Sequence, residues 1–329
     1  MTPANPSNPN GPRIGASACL LGRTVRTNGG HCRQAWLTDV LAKEAELVPV
    51  CPEVEMGLPT PRPVMRLAKT EASKGPGDMR LIVTDTGEDL TDRMATYAKE
   101  KVEALADENL HGFILKKDSP SCGMFRVKYY DHNGSPSERG PGMFAKALAA
   151  RFPNLPIEEE GRLNDRDLRE SFLVRVYAYR RWRRFRAEDG SAAGFVAFHA
   201  RYKMALLASA PEAYRSLGRL VAQGGGGDFE ARLDQYEAEF MSALSQRVSR
   251  GRHVNVMQHL AGFAKDEMSA HDKDELADVL AKYREGSVPR AAPLTLVRFL
   301  LRSHRAPTWA REQYYLEHYA PQLVRNEAV

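Results

Sequence analysis

An α/β N-terminal domain with a mainly parallel sheet, followed by an all-α helical bundle domain, is what this sequence predicts. Three observations carry the assignment. Up to about residue 160, short apolar runs alternate with stretches of helical period, the pattern of βαβ units. From about Asn164 the strand signals stop and the chain is helical in period nearly throughout. The length, 329 residues, exceeds one ordinary core and suffices for two.

The opening MTPANPSNPNGPR has no apolar segment and predicts a disordered tail over residues 1–12. RIGASACL (13–20), AELVPVCPE (45–53), MRLIVTD (79–85) and HGFILKK (111–117) read as strands, being short and apolar. QAWLTDVLAKEAE (34–46) and LTDRMATYAKEKVEALADENL (90–110) place apolar residues at helical spacing. GPGMFAKALAARFPN predicts another helix, opened by Gly140 and Pro141 and stopped at Pro153, and LPIEEEGRL a final strand. These close an α/β domain over 13–163. Residues 164–329 then offer about eight candidate helices, from RDLRESFLVRVYAYRRWRRF to TWAREQYYLEHYA. GGGGD (224–228) reads as a flexible loop and not a phosphate cradle, because no strand precedes it.

No apolar run reaches the roughly 20 residues that span a bilayer, so a cytoplasmic protein is expected. Its four cysteines, Cys19, Cys32, Cys51 and Cys122, are then reduced thiols. Net charge is +5, unevenly shared: residues 1–160 hold 20 Lys and Arg against 21 Asp and Glu, and residues 161–329 hold 27 against 21. The basic surplus of the second half fits a polyanionic partner or ordinary solubility charge. HExxH, GxSxG, the P-loop and the dinucleotide GxGxxG are absent, which removes the corresponding enzyme classes.

Cys19 closes the first predicted strand, Cys51 closes the second and Cys122 follows the strand 111–117, each in a turn of small or rigid residues: SACLLG, VCPEVEMGLPTPRP and SPSCG. The carboxyl ends of the strands of an open α/β sheet share one crevice, so the three thiols are expected to converge. Structural zinc takes four ligands from closely spaced pairs, and no CxxC exists here. An iron–sulfur cluster takes four cysteines, so three would leave one iron open as a Lewis acid. Ordinary buried cysteines are the plain alternative.

SACLLG, NGGH, CPEVEMGLPTPRP and KKDSPSCG, in this order, resemble the thiouracil desulfidase family, whose members carry a 4Fe-4S cluster on three cysteines. FHARYKMALLASAPEAYRSLGRLVA, NVMQHLAGF and LADVLAKYREG look like the helical domain of the longer tRNA 4-thiouridine desulfidases, so the resemblance covers roughly residues 13–320. It implies a 4Fe-4S cluster on Cys19, Cys51 and Cys122, with substrate sulfur on the open iron and sulfide released without net electron transfer. Cys32, in NGGHCR, departs from the family pattern and is expected to be a spectator. The implied activity is a cluster-dependent conversion of 4-thiouridine in tRNA, or in its nucleotides, to uridine. Two alternatives stay open: a desulfidase of free 2-thiouracil, and a non-catalytic RNA-binding protein with a structural metal.

Water has to be activated for C=S to become C=O. Glu53 is the carboxylate nearest the thiols in sequence and the expected general base, with Glu55 in reserve; a turn carboxylate also serves simply to accept backbone hydrogen bonds. Ser121 and, less favoured, Ser119 are candidates to bind the ring or shuttle a proton, or to bond their own backbone. Ser17, Asn28 and Arg62 are the expected substrate contacts, Arg62 being set between two prolines. His31 is a further loop candidate, and His132 reads as a surface residue. In the second half, VYAYRRWRRFR (176–186) combines arginines with Tyr177, Tyr179 and Trp182. Arg180, Arg181, Arg183, Arg184, Arg201 and Lys203 are the expected tRNA contacts, with His199 and Arg219 behind them.

Overall fold

The computed structural model describes residues 11–71, 73, 78–317 and 323. Apart from Gly11 and Pro12, the expected tail lies outside them. The chain divides into two compact units, Met1–Arg180 with Gln322–Val329, and Arg181–Pro321.

The first unit contains, in order, β1 (Arg13–Ser17), β2 (Glu46–Val50), the one-turn α1 (Pro52–Glu55), β3 (Met65–Ala68), β4 (Arg80–Val83), α2 (Thr91–Ala106), β5 (Gly112–Leu115), β6 (Val127–Tyr130), β7 (Pro136–Gly140), α3 (Met143–Arg151) and β8 (Ile157–Glu159). Four strands form a wholly parallel sheet in the order β2-β1-β5-β8. β5 is buried at every position and β1 at all but its first, as a parallel sheet covered on both faces requires. Gly15 in β1 is needed there: a Cβ would stand 2.3 Å from the Phe113 ring of β5. Behind the sheet, the start of α4 (Arg166–Glu188) brings Phe172 and Val176 over Gly112.

A second sheet, β4-β3-β6-β7, is mixed. It contains the strand expected at 79–85 and three strands the sequence pattern did not show. β7 is exposed at its first four residues and β6 reads VKYY, so neither carries a clean alternation. Met56, Met65, Leu67, Leu81, Met94 and Val127 form the core beneath it. The helix expected at 34–46 is instead a π turn, Trp36–Val40, followed by a 3-10 turn, Leu41–Lys43. β-Branched Thr38 and Val40 favour helix little, and Glu46 must already be extended to pair with Arg13.

The second unit is all-helical: the end of α4, then α5 (Ala192–Ser209), α6 (Pro211–Ala222), α7 (Phe229–Ser245), α8 (Arg250–Ala261), α9 (Ala270–Glu285), α10 (Ala291–Ser303) and the short α11 (Thr308–Arg311). Trp182, Phe195, Phe198, Tyr202, Tyr236 and Phe240 make an aromatic core, with Trp182 stacked on Tyr236 at 5.1 Å. The glycine run joins α6 to α7, tied down where Arg232 donates to the carbonyl oxygens of Gly224 and Gly226. Among the described residues no helix is long and apolar enough to cross a membrane.

Candidate active site

The four parallel strands deliver polar or thiol groups at their carboxyl ends, where an open α/β sheet binds ligands. β1 ends in buried Ser17 and passes into a 3-10 turn, Ala18–Leu21, that carries Cys19. Gly22 stops this turn in the left-handed region, at φ 86°. β2 ends before Cys51, which caps α1; Pro52 starts the helix without losing a useful N–H, and the Cys51 N–H donates to Glu55 Oε1 at 2.7 Å. Glu55 also accepts from Tyr97 Oη at 2.9 Å and pairs with Lys101, so its oxygens serve the local fold.

Glu53 points the other way, into the site. Its Oε1 accepts a 2.6 Å hydrogen bond from Ser121 Oγ, and its Oε2 takes Arg62 Nε at 2.8 Å together with Arg62 Nη2. Both side chains are almost wholly enclosed. Arg62 is itself held by the loop after β1: its Nη1 donates to Val25 O at 2.8 Å and its backbone N–H to Thr27 O at 2.9 Å. Ser119 Oγ lies 3.0 Å from Ser121 Oγ and 3.4 Å from Glu53 Oε1. The SPSCG turn thus forms one network of two hydroxyls, a carboxylate and a guanidinium.

That turn is fixed from three sides. The N–H groups of Met124 and Phe125 donate to Glu159 Oε1, the Lys116 N–H donates to Ser17 Oγ at 2.9 Å, and Gly142 packs on it from the start of α3. A Cβ on Gly142 would come within 2.6 Å of the Ser121 carbonyl. Three consecutive buried carboxylates at the end of β8 divide the anchoring: Glu158 meets Arg162 and Arg175, Glu159 the turn, and Glu160 Lys116 with the Lys117 N–H. Sequence reasoning missed these three and Tyr97. The run EEE inside an otherwise apolar strand was the available signal.

The thiols of Cys19, Cys51 and Cys122 interact electrostatically, so the strand ends do gather them in one neighbourhood. Each nevertheless has its own protein partner. Cys122 is enclosed beside Ser17 and Ser121 oxygens, and burial pushes its thiol up to about 12. Cys51 lies against the Glu53 and Val54 N–H groups, and burial raises its pKa. Cys19 is raised by burial first and then by the neighbouring Cys32.

The cluster expectation is corrected here. Among the described residues no group of three or more His, Cys, Asp or Glu is placed to hold a metal ion. The physical reason is the partnering just described: the three side chains are turned to serine, backbone and a fourth thiol. These residues do not fit a 4Fe-4S centre on Cys19, Cys51 and Cys122. The iron–sulfur cofactor, the metal-binding assignment and the cluster-dependent desulfidation of 4-thiouridine that the resemblance implied are withdrawn with it.

Of the other expected site residues, Ser17, Glu53, Arg62, Ser119 and Ser121 come together. Asn28 is exposed, and its Oδ1 accepts from Gly30 N within its own turn. His31 Nδ1 likewise accepts from Arg33 N. In α4, Trp182 and Tyr179 are core residues. Arg181 pairs with Glu317, and Arg184 donates to Glu188 at 2.7 Å. Arg201 lies over the Tyr314 ring and donates to Glu312 O at 3.1 Å. Lys203 is half-buried near His199, while Arg183 is exposed and Arg180 half-buried.

Residues 14–160 match the family model described as 2-thiouracil desulfurase, and residues 203–320 one described as a protein of unknown function, DUF1722. The uncharacterized protein YbgA of Escherichia coli K12 is 26% identical over 149 residues, 45% of this chain and 88% of that protein. The uncharacterized protein YbbK of Bacillus subtilis 168 is 30% identical over 152 residues, 45% of this chain and 96% of that protein. Among solved structures, the 4Fe-4S-dependent thiouracil desulfidase TudS is 30% identical, covering 46% of this chain and 93% of that one, with a TM-score of 0.36. YbbK is spanned almost end to end at this identity, and through its N-terminal unit the chain belongs to the 2-thiouracil desulfurase family.

Proposed function

We propose that the N-terminal unit is a desulfurase of a free thiolated pyrimidine base, with 2-thiouracil as the test substrate. One observation carries the reading: a buried carboxylate, Glu53, held by Arg62 and hydrogen-bonded to Ser121, stands among three strand-end thiols. The reaction converts C=S and water to C=O and hydrogen sulfide, and needs no oxidant. Glu53, through Ser121 or directly, takes the proton of the attacking water. Ser119 fixes Ser121 in the receiving position. Burial keeps the Cys51 and Cys122 thiols protonated at neutral pH, so they can donate to the substrate sulfur as charge builds on it. Glu53 then passes the first proton to the sulfur, which departs as hydrosulfide, and the second water proton, lost as the carbonyl forms, converts it to hydrogen sulfide. Sulfide release from 2-thiouracil by the purified chain, lowered roughly 100-fold in Ser121→Ala, is the expected result; a wild-type chain that releases none ends this reading.

RNA as a partner of the helical unit is a second reading, favoured by one observation. Residues 286–311 carry five arginines and no Asp or Glu, with Phe299 59% and Trp309 41% exposed in the same stretch. Binding of bulk tRNA should weaken steeply as salt rises, as phosphate contacts require. A salt-independent affinity, or none, would remove RNA. The cytoplasm, where four unbridged thiols persist, is the compartment that fits, and cell fractionation tests it.

A further inference from the structure

The outer face of the second sheet carries a row of three cations to which neither reading above gives a role. Met65, Leu67 and Val127 are core residues, so Arg66 of β3 and Lys128 of β6 point away from the core. β3 and β6 are parallel with Leu67 beside Tyr129, which sets Arg66 beside Lys128, and Lys128 is paired in turn with Arg139 of β7. The row spans two strand spacings, about 10 Å. Like charges on facing strand positions repel one another. Neighbouring carboxylates do not relieve this row: Glu138 is drawn to Lys69, and Asp131 Oδ1 accepts from the N–H groups of Asn133 and Ser135 in its own hairpin.

Arg66 is the most firmly placed of the three. Its guanidinium lies over the Tyr130 ring, with Cζ 5.2 Å from the ring centre, and its Nη1 is 3.4 Å from where a Cβ on Gly134 would stand. Its Nε is shut off from solvent and has no acceptor among the described residues. A buried donor left unpaired costs free energy, and a planar fork held against a ring is preorganised for an anion. Lys128 and Arg139 are exposed, and among the described residues neither meets a carboxylate within ion-pair distance.

We propose that Arg66, Lys128 and Arg139 bind a linear oligophosphate, with tripolyphosphate as its simplest form. Arg66 forks onto one phosphate group, and Lys128 and Arg139 meet the charges further along the chain. A nucleic acid matches the row less well: Arg66 covers the face of Tyr130 and Tyr129 packs on the core, so the row offers charge without a stacking platform. Val127 and Gly140 pair one residue away, and Gly140 leads through Pro141 to Gly142, which packs on Ser121. A phosphate chain laid across β3, β6 and β7 therefore braces strands that join the serine turn. This inference does not rest on the desulfurase or RNA readings, because binding is read as heat and not as turnover.

The full chain is titrated in a calorimeter with sodium tripolyphosphate at physiological ionic strength, where scattered surface charge is screened. Saturable binding is expected, weakened about tenfold or more in Arg66→Gln and in the double variant Lys128→Gln with Arg139→Gln. Lys99→Gln, at an exposed position of α2, should bind as the wild type does. The double variant changes only exposed side chains, so it decides the matter even where Arg66→Gln fails to fold. An absence of saturable binding, an affinity unchanged in the double variant, or sulfate bound as tightly as tripolyphosphate would overturn the proposal. So would a mixed-sequence oligonucleotide that displaces tripolyphosphate, binds more tightly and loses affinity in the same variants, since the row would then serve a nucleic acid.

Discussion

Arg62 and Glu53 form an ion pair whose members are both shielded from water, so neither can lose the other cheaply. Arg62→Met leaves a buried carboxylate uncompensated. We expect a loss of about 3–5 kcal/mol in stability by urea denaturation, far beyond an exposed pair such as Arg184 and Glu188. Ser121→Ala keeps the ion pair and removes one hydrogen bond to Glu53; it should lower sulfide release from 2-thiouracil roughly 100-fold while costing less stability than Arg62→Met, as for loss of a proton-transfer group. Glu53 was legible as the carboxylate beside Cys51, and Arg62 as the arginine between prolines. Their partnership was not legible, because a whole turn of irregular chain separates them and periodicity says nothing about where such a turn returns. The same holds for the thiols: strand ends announced their neighbourhood, but local hydrogen bonds decided what each one faces.

At the level of elements, the SPSCG turn depends on its neighbours more than on its own residues. Gly142→Ala would drive a methyl into the Ser121 backbone, where no flexible side chain can yield. A cost of about 1–3 kcal/mol and a weakened Ser121–Glu53 contact are expected, measured by thermal melting together with the rate of sulfide release. β1 and β5 were readable because each is a short apolar run buried on both faces, and β2, though half-buried, because its run is apolar too. β6 and β7 were unreadable because the second sheet leaves much of their length in water, which removes the pattern that marks a strand. The π turn at Trp36–Val40 escaped for a different reason: its apolar spacing is helical, but the tertiary demand that Glu46 pair with Arg13 cuts the helix short.

Across the molecule, the order of an α/β unit before a helical one was plain from the change of period alone. The fate of the cations in α4 was not, since Glu317, which neutralises Arg181, lies far along the chain. The helical unit also carries a pH response. His199 is buried, with Nδ1 3.0 Å from Tyr236 Oη, and burial, helped by Lys203, holds its pKa down at about 4. His253 is lowered in the same way, to about 2. The unfolded chain binds these protons near 6.5, whereas the folded chain refuses them. Stability is therefore fully present above pH 6.5 and falls as pH drops toward 4, by about 1.4 kcal/mol per histidine per pH unit. Urea midpoints of the helical unit's fluorescence should decline from pH 7 to pH 5, with a shallower slope in His199→Gln; a flat profile would contradict the buried neutral imidazoles.

The carboxylates Glu158, Glu159 and Glu160 sit on consecutive residues yet address three different structures: Arg162 before α4 with Arg175 within it, the serine turn, and the lysines after β5. Adjacent strand residues face opposite ways, so one inserted or deleted residue at this point would hand every anchor to the wrong recipient at once. Relatives that differ in length should therefore keep their gaps away from this strand end and place them in places such as the glycine tract at 224–227. A library of random single-codon insertions should recover soluble protein from that tract and none from 157–160.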